Sequence, residues 1–275
     1  MLECVVNLSE GRDTERLGDL AHHTGSALID LHADGCHNRS VFTLAGPGVF
    51  EATQDLARAA VTRLDITRHE GVHPRLGVVD VVPFVPLGDE GMRPGGDLSE
   101  AIAARDRFAP WAARELELPC FLYGPERSLP EIRRAAFREL PPAFGPGEPH
   151  PSAGACCVGA RPALVAYNLW LAEADLALAR RIAAALRTDE VHAAGFAVGS
   201  GVQVSCNLLA PWNVGPADVY DRVAESARVE RAELVGLIPE RVLRAIPARR
   251  WGSLDLGEAS TIEARLAERG VAAPS

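Results

Sequence analysis

The chain is 275 residues long, 47% hydrophobic and 24% charged, which suits one large globular unit or two smaller subdomains and excludes disordered and collagen-like classes. Its net charge of -9 argues against a general nucleic-acid or anionic-membrane surface, because both need a basic footprint. The N-terminus lacks a basic region followed by an apolar one, and no apolar run is long enough to span a bilayer. A soluble cytoplasmic protein is therefore expected, with no nucleic-acid or membrane partner.

The first strand is expected over residues 2–8, ending at Asn7-Leu8-Ser9-Glu10-Gly11, and is followed by a helix over 14–23 that Asp13 can cap and Gly25 can stop. Two apolar strands over 27–31 and 40–45 are joined by a polar turn. In the next helix, over 49–64, Phe50, Ala57, Ala60, Val61 and Leu64 recur near helical spacing, while Glu51, Gln54, Asp55 and Arg58 take the other face. The strand over 78–85 is almost continuously apolar, so both of its faces should be covered. Strand, helix, strand, strand, helix, strand is the split βαβ, ferredoxin-like order.

An insertion follows, with a helix over 98–115, a strand over 120–123 and a short helix over 129–137. The Pro- and Gly-rich segment 141–151 must be a loop. Beyond it the same order recurs: strand 163–169, helix 172–186, strands 192–198 and 202–208, helix 216–227 and strand 232–238, then an amphipathic tail helix over 261–268. The expected fold is α/β (α+β), two ferredoxin-like βαββαβ-type subdomains with mixed sheets. The cysteines Cys4, Cys36, Cys120, Cys156, Cys157 and Cys206 are scattered without a C-x-x-C pair, so packing is their expected role rather than a disulfide framework or a zinc ribbon.

Three clusters can carry chemistry. The segment Arg68-His69-Glu70-Gly71-Val72-His73-Pro74-Arg75 precedes the buried strand. Its two histidines match H-E-x-x-H, but Gly71 and Pro74 break the helix that this metal motif needs, so no metal is expected and a metal hydrolase using His69 and His73 is the lesser reading. An imidazole with a pKa of about 6.5 suits proton transfer near neutral pH instead. In the turn Asp34 to Arg39, Asn38 and Arg39 can be turn chemistry, or Arg39 can join Arg75 in holding carboxylates bidentately, since both residues precede apolar strands. The third cluster runs from Gly159 through Ala160, Arg161, Ala166 and Tyr167 to Asn168. Its glycine would admit a flat ligand and its Asn could pair with an amide-like ring edge; an ordinary tight turn and core strand is the other reading.

These segments resemble the formiminotransferase domain family. The resemblance is carried by VVNLSEGR (5–12), HNRSVFTLAG (37–46), TRHEGVHPRLGVVDVVPFVPL (67–87), FLYG (121–124), GARPALVAYNLWL (159–171), VQVSCNLL (202–209) and ELVGLIP (233–239). The chain departs from the family pattern at Val6, Leu8, His32 and Trp170. The resemblance implies subdomains over 1–175 and 176–275 with a ligand tunnel between them, and a homodimer. It implies transfer of a formimino group from N-formimino-L-glutamate, or a related formimino amino acid, to N5 of tetrahydrofolate as co-substrate. His73 would then be the general acid/base, with Asp34, Asn38, Arg39, His69 and Arg75 around the donor and Gly159, Ala160, Arg161, Ala166, Tyr167 and Asn168 around the folate. A non-catalytic folate-binding paralogue is the alternative.

Overall fold

The computed structural model describes residues 1–71, 74–88 and 92–273. β1 (Leu2–Leu8) leads into α1 (Thr14–His22), which starts where the Asp13 side chain accepts from the Arg16 amide. β2 (Leu28–Asp34), β3 (Arg39–Ala45), α2 (Val49–Arg63) and β4 (Val79–Pro86) complete the expected order. α3 (Ser99–Glu115), β5 (Cys120–Tyr123), α4 (Leu129–Ala135) and β6 (Cys156–Ala160) follow. The sheet order is β2-β3-β1-β4-β6-β5, antiparallel from β2 to β4 and parallel from β4 through β6 to β5. Every residue of β4 is buried, as its almost continuous apolar run requires.

Alternate residues divide the first core. Cys4, Val6, Leu8, Phe42, Leu44, Val82 and Phe84 pack with Leu17 and Leu20 of α1, Leu56 of α2 and Phe108 of α3. On the opposite face, Val81, Phe121 and Cys157 pack with Ile132 of α4. The expected helix ends are shorter in the structure, and β6 corrects the turn expected at Gly159. β6 lies between β4 and β5 with all five residues buried, so it shows none of the alternation by which a half-exposed strand is read.

The second unit repeats the arrangement with β7 (Val165–Leu171), α5 (Leu176–Leu186), β8 (Val191–Val198), β9 (Gly201–Leu208), α6 (Pro216–Ala224) and β10 (Val229–Val235). Its order, β10-β7-β9-β8, is the counterpart of β4-β1-β3-β2. This sheet is antiparallel throughout rather than mixed, because it lacks the inserted pair that supplies parallel strands to the first. α7 (Glu240–Arg244), α8 (Ala248–Trp251) and α9 (Ile262–Glu268) close the chain, with Ile262 and Leu266 buried. The compact units divide between Pro162 and Ala163, and β7 bonds to β9 and β10, whereas the expected division lay at 175. Among the described residues no helix is long and apolar enough to cross a membrane.

Candidate functional site

Antiparallel pairing brings the ends of β1 and β2 and the starts of β3 and β4 to one end of the first sheet, through the pairs Leu8↔Ser40, Asp34↔Arg39 and Leu8↔Val79. Three polar connections meet there. In the first, Ser9 donates from its amide to Val78 O at 2.9 Å and from its hydroxyl to Gly77 O at 2.8 Å, tying the end of β1 to the entry of β4. Glu10 Oε1 accepts from the amides of Gly11, Arg12 and Asp13, and Oε2 from Arg16. This carboxylate neutralises the amide-rich start of α1 and so serves the fold.

Gly11 then passes so close to the turn that an added Cβ would overlap Asp34 O and the Arg39 backbone. Its amide donates to Asn38 Oδ1 at 2.9 Å. Asn38 sits in the left-handed region at φ 49, a conformation that Asn tolerates better than most side chains. Its Nδ2 donates to Glu70 O at 2.9 Å, and its carbonyl accepts from His69 Nε2 at 2.7 Å. Asn38 therefore joins all three connections.

Asp34 closes the β2–β3 turn. Its Oδ1 accepts from the amides of Cys36 and His37, and its Oδ2 meets His37 Nδ1 at 2.6 Å. Burial works to raise the Asp34 pKa, but the His37 ring and backbone bonds prevail and bring it down to about 2. Asp34 is thus an ionised carboxylate engaged by the turn and by an imidazole. His37 is a neighbour that the sequence analysis did not single out; its only local signal was its place three residues after Asp34.

His69 also has its two ring nitrogens engaged. Arg75 can only donate, so His69 Nδ1 accepts from it and Nε2 carries the proton given to Asn38 O. Burial first, and then the Arg75 charge, lower the His69 pKa below 6.5 against the pull of the Asn38 carbonyl. A ring used at both nitrogens has no lone pair left for a metal, which speaks against the hydrolase reading.

Asp80, at the start of β4, is the negative centre of an arginine cluster. Its Oδ1 accepts from the Leu76 amide at 2.7 Å and its Oδ2 from Arg133 Nη2 at 2.6 Å. Arg133 Nη1 also donates to Pro74 O at 2.6 Å. Arg39 is lowered to about 10, chiefly by burial and also by the charges of Arg133 and Arg75, while Asp80 works to raise it. Three guanidiniums around one carboxylate make a local positive field in a chain whose net charge is -9. Arg133 was not identified from sequence; the signal for it was Asp80, a charge in an apolar strand that calls for a cation.

His73 lies outside the described residues. The neighbours that are described hold the loop closely: an added Cβ on Gly71 would overlap His37 O and crowd Arg75 Nη2.

The expected folate stretch falls on both units. Gly159 and Ala160 belong to β6, and a Cβ on Gly159 would enter the Tyr123 ring, so that ring already fills the space the glycine leaves. Arg161 donates from its amide to Phe84 O and from Nη1 to Pro162 O. Ala166, Tyr167 and Asn168 lie on β7. Tyr167 is fully buried and its hydroxyl donates to Leu254 O at 2.7 Å, so its side chain belongs to the core. Asn168 points to the other sheet face, where Oδ1 accepts from the Ser205 hydroxyl and Nδ2 donates to Glu233 Oε2 at 3.2 Å. Trp170 Nε1 shares that carboxylate at 2.8 Å, under the Arg231 guanidinium at 4.2 Å.

Residues 1–161 match the family described as formiminotransferase domain, N-terminal subdomain. The chain is 36% identical over 208 residues to the glutamate formimidoyltransferase of Streptococcus pyogenes serotype M1, covering 68% of each chain. It is 33% identical over 282 residues to that of Thermoplasma acidophilum, covering 88% of this chain and 89% of the relative. The formimidoyltransferase-cyclodeaminase of Sus scrofa is 33% identical over 282 residues, again 88% of this chain but 51% of the relative. The chain thus spans about half the length of that relative.

Proposed function

The chain belongs to the formiminotransferase domain family, and on that premise we propose that it moves a formimino group from N-formimino-L-glutamate, or a related formimino amino acid, to N5 of tetrahydrofolate. The observation that carries this reading is the gathering of Arg39, Arg75 and Arg133 around Asp80, beside a neutral His69, at one end of the first sheet. Paired guanidiniums suit the carboxylates of an acidic amino-acid donor.

Transfer begins when the amine nitrogen adds to the formimino carbon. The tetrahedral adduct collapses toward product once the attacking nitrogen has lost a proton and the departing amine has gained one. His73 performs both exchanges as general base and then general acid. Asn38 and His69 set the entry to its loop. Asp34, occupied by the turn and by His37, supports the donor pocket indirectly. Arg39 and Arg75 hold the donor carboxylates.

For the acceptor, the second sheet offers an amide, a carboxylate and a hydroxyl side by side in Asn168, Glu233 and Ser205. That mixture of donors and acceptors fits the amide edge of a pterin. Gly159 and Ala160, buried in β6 beside the Tyr123 ring, and Tyr167, buried behind Asn168, pack the scaffold rather than meet the co-substrate. On this reading the protein is a cytoplasmic homodimer in one-carbon metabolism and histidine degradation, which light scattering of the purified chain tests for its oligomeric state.

Purified protein with tetrahydrofolate and N-formimino-L-glutamate should yield the 5-formimino product by mass spectrometry. His73→Ala should lower the rate by about 10²- to 10⁴-fold; a retained rate overturns the assignment. Stabilisation by tetrahydrofolate in a thermal scan, with no turnover of any formimino donor, would favour a non-catalytic folate-binding protein.

A further inference from the structure

The loop around His73 is tethered on both flanks by side chains far from it in sequence. On the leading flank, Asn38 Nδ2 donates to Glu70 O at 2.9 Å. On the trailing flank, Arg133 Nη1 donates to Pro74 O at 2.6 Å and Nη2 to Asp80 Oδ2 at 2.6 Å, while Asp80 Oδ1 accepts from the Leu76 amide at 2.7 Å. The Asp80 side chain is only 3% exposed and that of Arg133 17%, so little water competes for the bonds to the Asp80 carboxylate, while the bond to Pro74 O lies at the surface. Arg133 follows Ile132, which is fully buried with Phe121 and Cys157. The fork is therefore mounted on a packed helix rather than on the loop it grips.

We propose that Arg133, acting with Asp80, is a positioning residue for His73. This rests on the reading of His73 as the acid/base. The fork holds the backbone at Pro74 and the pair holds it at Leu76, one and three residues beyond His73 in the sequence. A group that moves a proton between two nitrogens on one carbon must stay within hydrogen-bond reach of both. A displacement of about 1 Å in such a constellation costs on the order of 10²-fold in rate. The two acceptors, a carbonyl and a carboxylate, need two N–H directions from one planar group. A lysine ammonium reaches Asp80 without reproducing that plane.

The test uses Arg133→Lys and the double variant Asp80→Asn with Arg133→Met, which removes both charges of that pair together. Hydrogen exchange of residues 69–76, steady-state kinetics with N-formimino-L-glutamate and tetrahydrofolate, and NMR of isotope-labelled histidine rings are compared with the parent protein. Both variants should keep the exchange protection of the second unit, exchange faster in the loop, and lose about 10²-fold in kcat with KM nearly unchanged. Unchanged loop exchange, faster exchange with the parent kcat, or a change confined to KM each overturns the proposal. If the parent protein transfers no formimino group, the assigned reaction falls and the His73 ring decides the clamp by itself. A His73 ring signal that shifts or broadens in Arg133→Lys supports it, and a signal indifferent to the substitution overturns it.

Discussion

The two units share one topology and differ in what joins their strands. In the first, residues 64–78 connect α2 to β4, whereas residues 225–228 connect α6 to β10 in the second. The hairpins differ in the same way: residues 35–38 join β2 to β3, but only Gly199 and Ser200 join β8 to β9. The longer connections of the first unit carry His37, Asn38, His69 and Arg75, with Asp34 at the end of β2 beside them, and all lie at one end of the sheet. A shared scaffold therefore acquires a candidate site by lengthening connections over a packed core, not by changing that core.

The sharpest way to break this contrast is to attack what holds the long loop. Arg133→Met takes from buried Asp80 the guanidinium that contacts it and should destabilise the protein by up to about 3–5 kcal/mol, read from urea unfolding. The double variant with Asp80→Asn should recover part of that loss, because the stranded carboxylate is gone while Arg39 and Arg75 lose its charge. Recovery would separate the cost of a stranded charge from the worth of the pair.

Gly71→Ala comes next. Its Cβ would meet His37 O and Arg75, and forcing the two connections apart should cost about 1–3 kcal/mol. At the tip of the short hairpin, exposed Ser200→Ala should fall within about 0.5 kcal/mol of the parent. Equal losses at the two sites, in the same unfolding series, would remove the distinction between a loaded connection and a plain one.

Acid titration separates the groups within the site. Asp34 is lowered from 3.8 to about 2 on folding, so its contribution is present above pH 3.8 and is lost as pH falls toward 2. Asp34→Asn should flatten the stability profile in that window. His69 is lowered below 6.5. The unfolded chain then binds more protons just under that value, and stability contributed by the neutral ring is present above pH 6.5 and declines as pH falls below it. His69→Gln should remove this smaller decline, read from thermal midpoints across the same pH range.

Much of the framework was legible from local pattern. Helical spacing located α2, the almost continuous apolar run located buried β4, and the recurring element order exposed the second unit. The breakers Gly71 and Pro74, among charges between a helix and a buried strand, marked the loop. β6 escaped because a strand covered on both faces has no period-two signature; the recurring element order placed β7 at the start of the second unit, where it pairs with β9 and β10, whereas the resemblance drew the boundary at 175. Tyr167 read as a ligand contact next to Asn168, yet a strand sends neighbouring side chains to opposite faces, and only the packing says which face is core.

By itself, then, the sequence determined the alternation and periodicity that make two similar sheets, and the polar segment that cannot be helix or strand. Tertiary structure decided that Asn38 bridges three connections, that His69 is neutral and spent at both nitrogens, and that Arg133 reaches Asp80 across 53 residues. Hydrogen bonds and ion pairs between distant segments leave no local pattern in the chain, because their partners are chosen by the folded backbone.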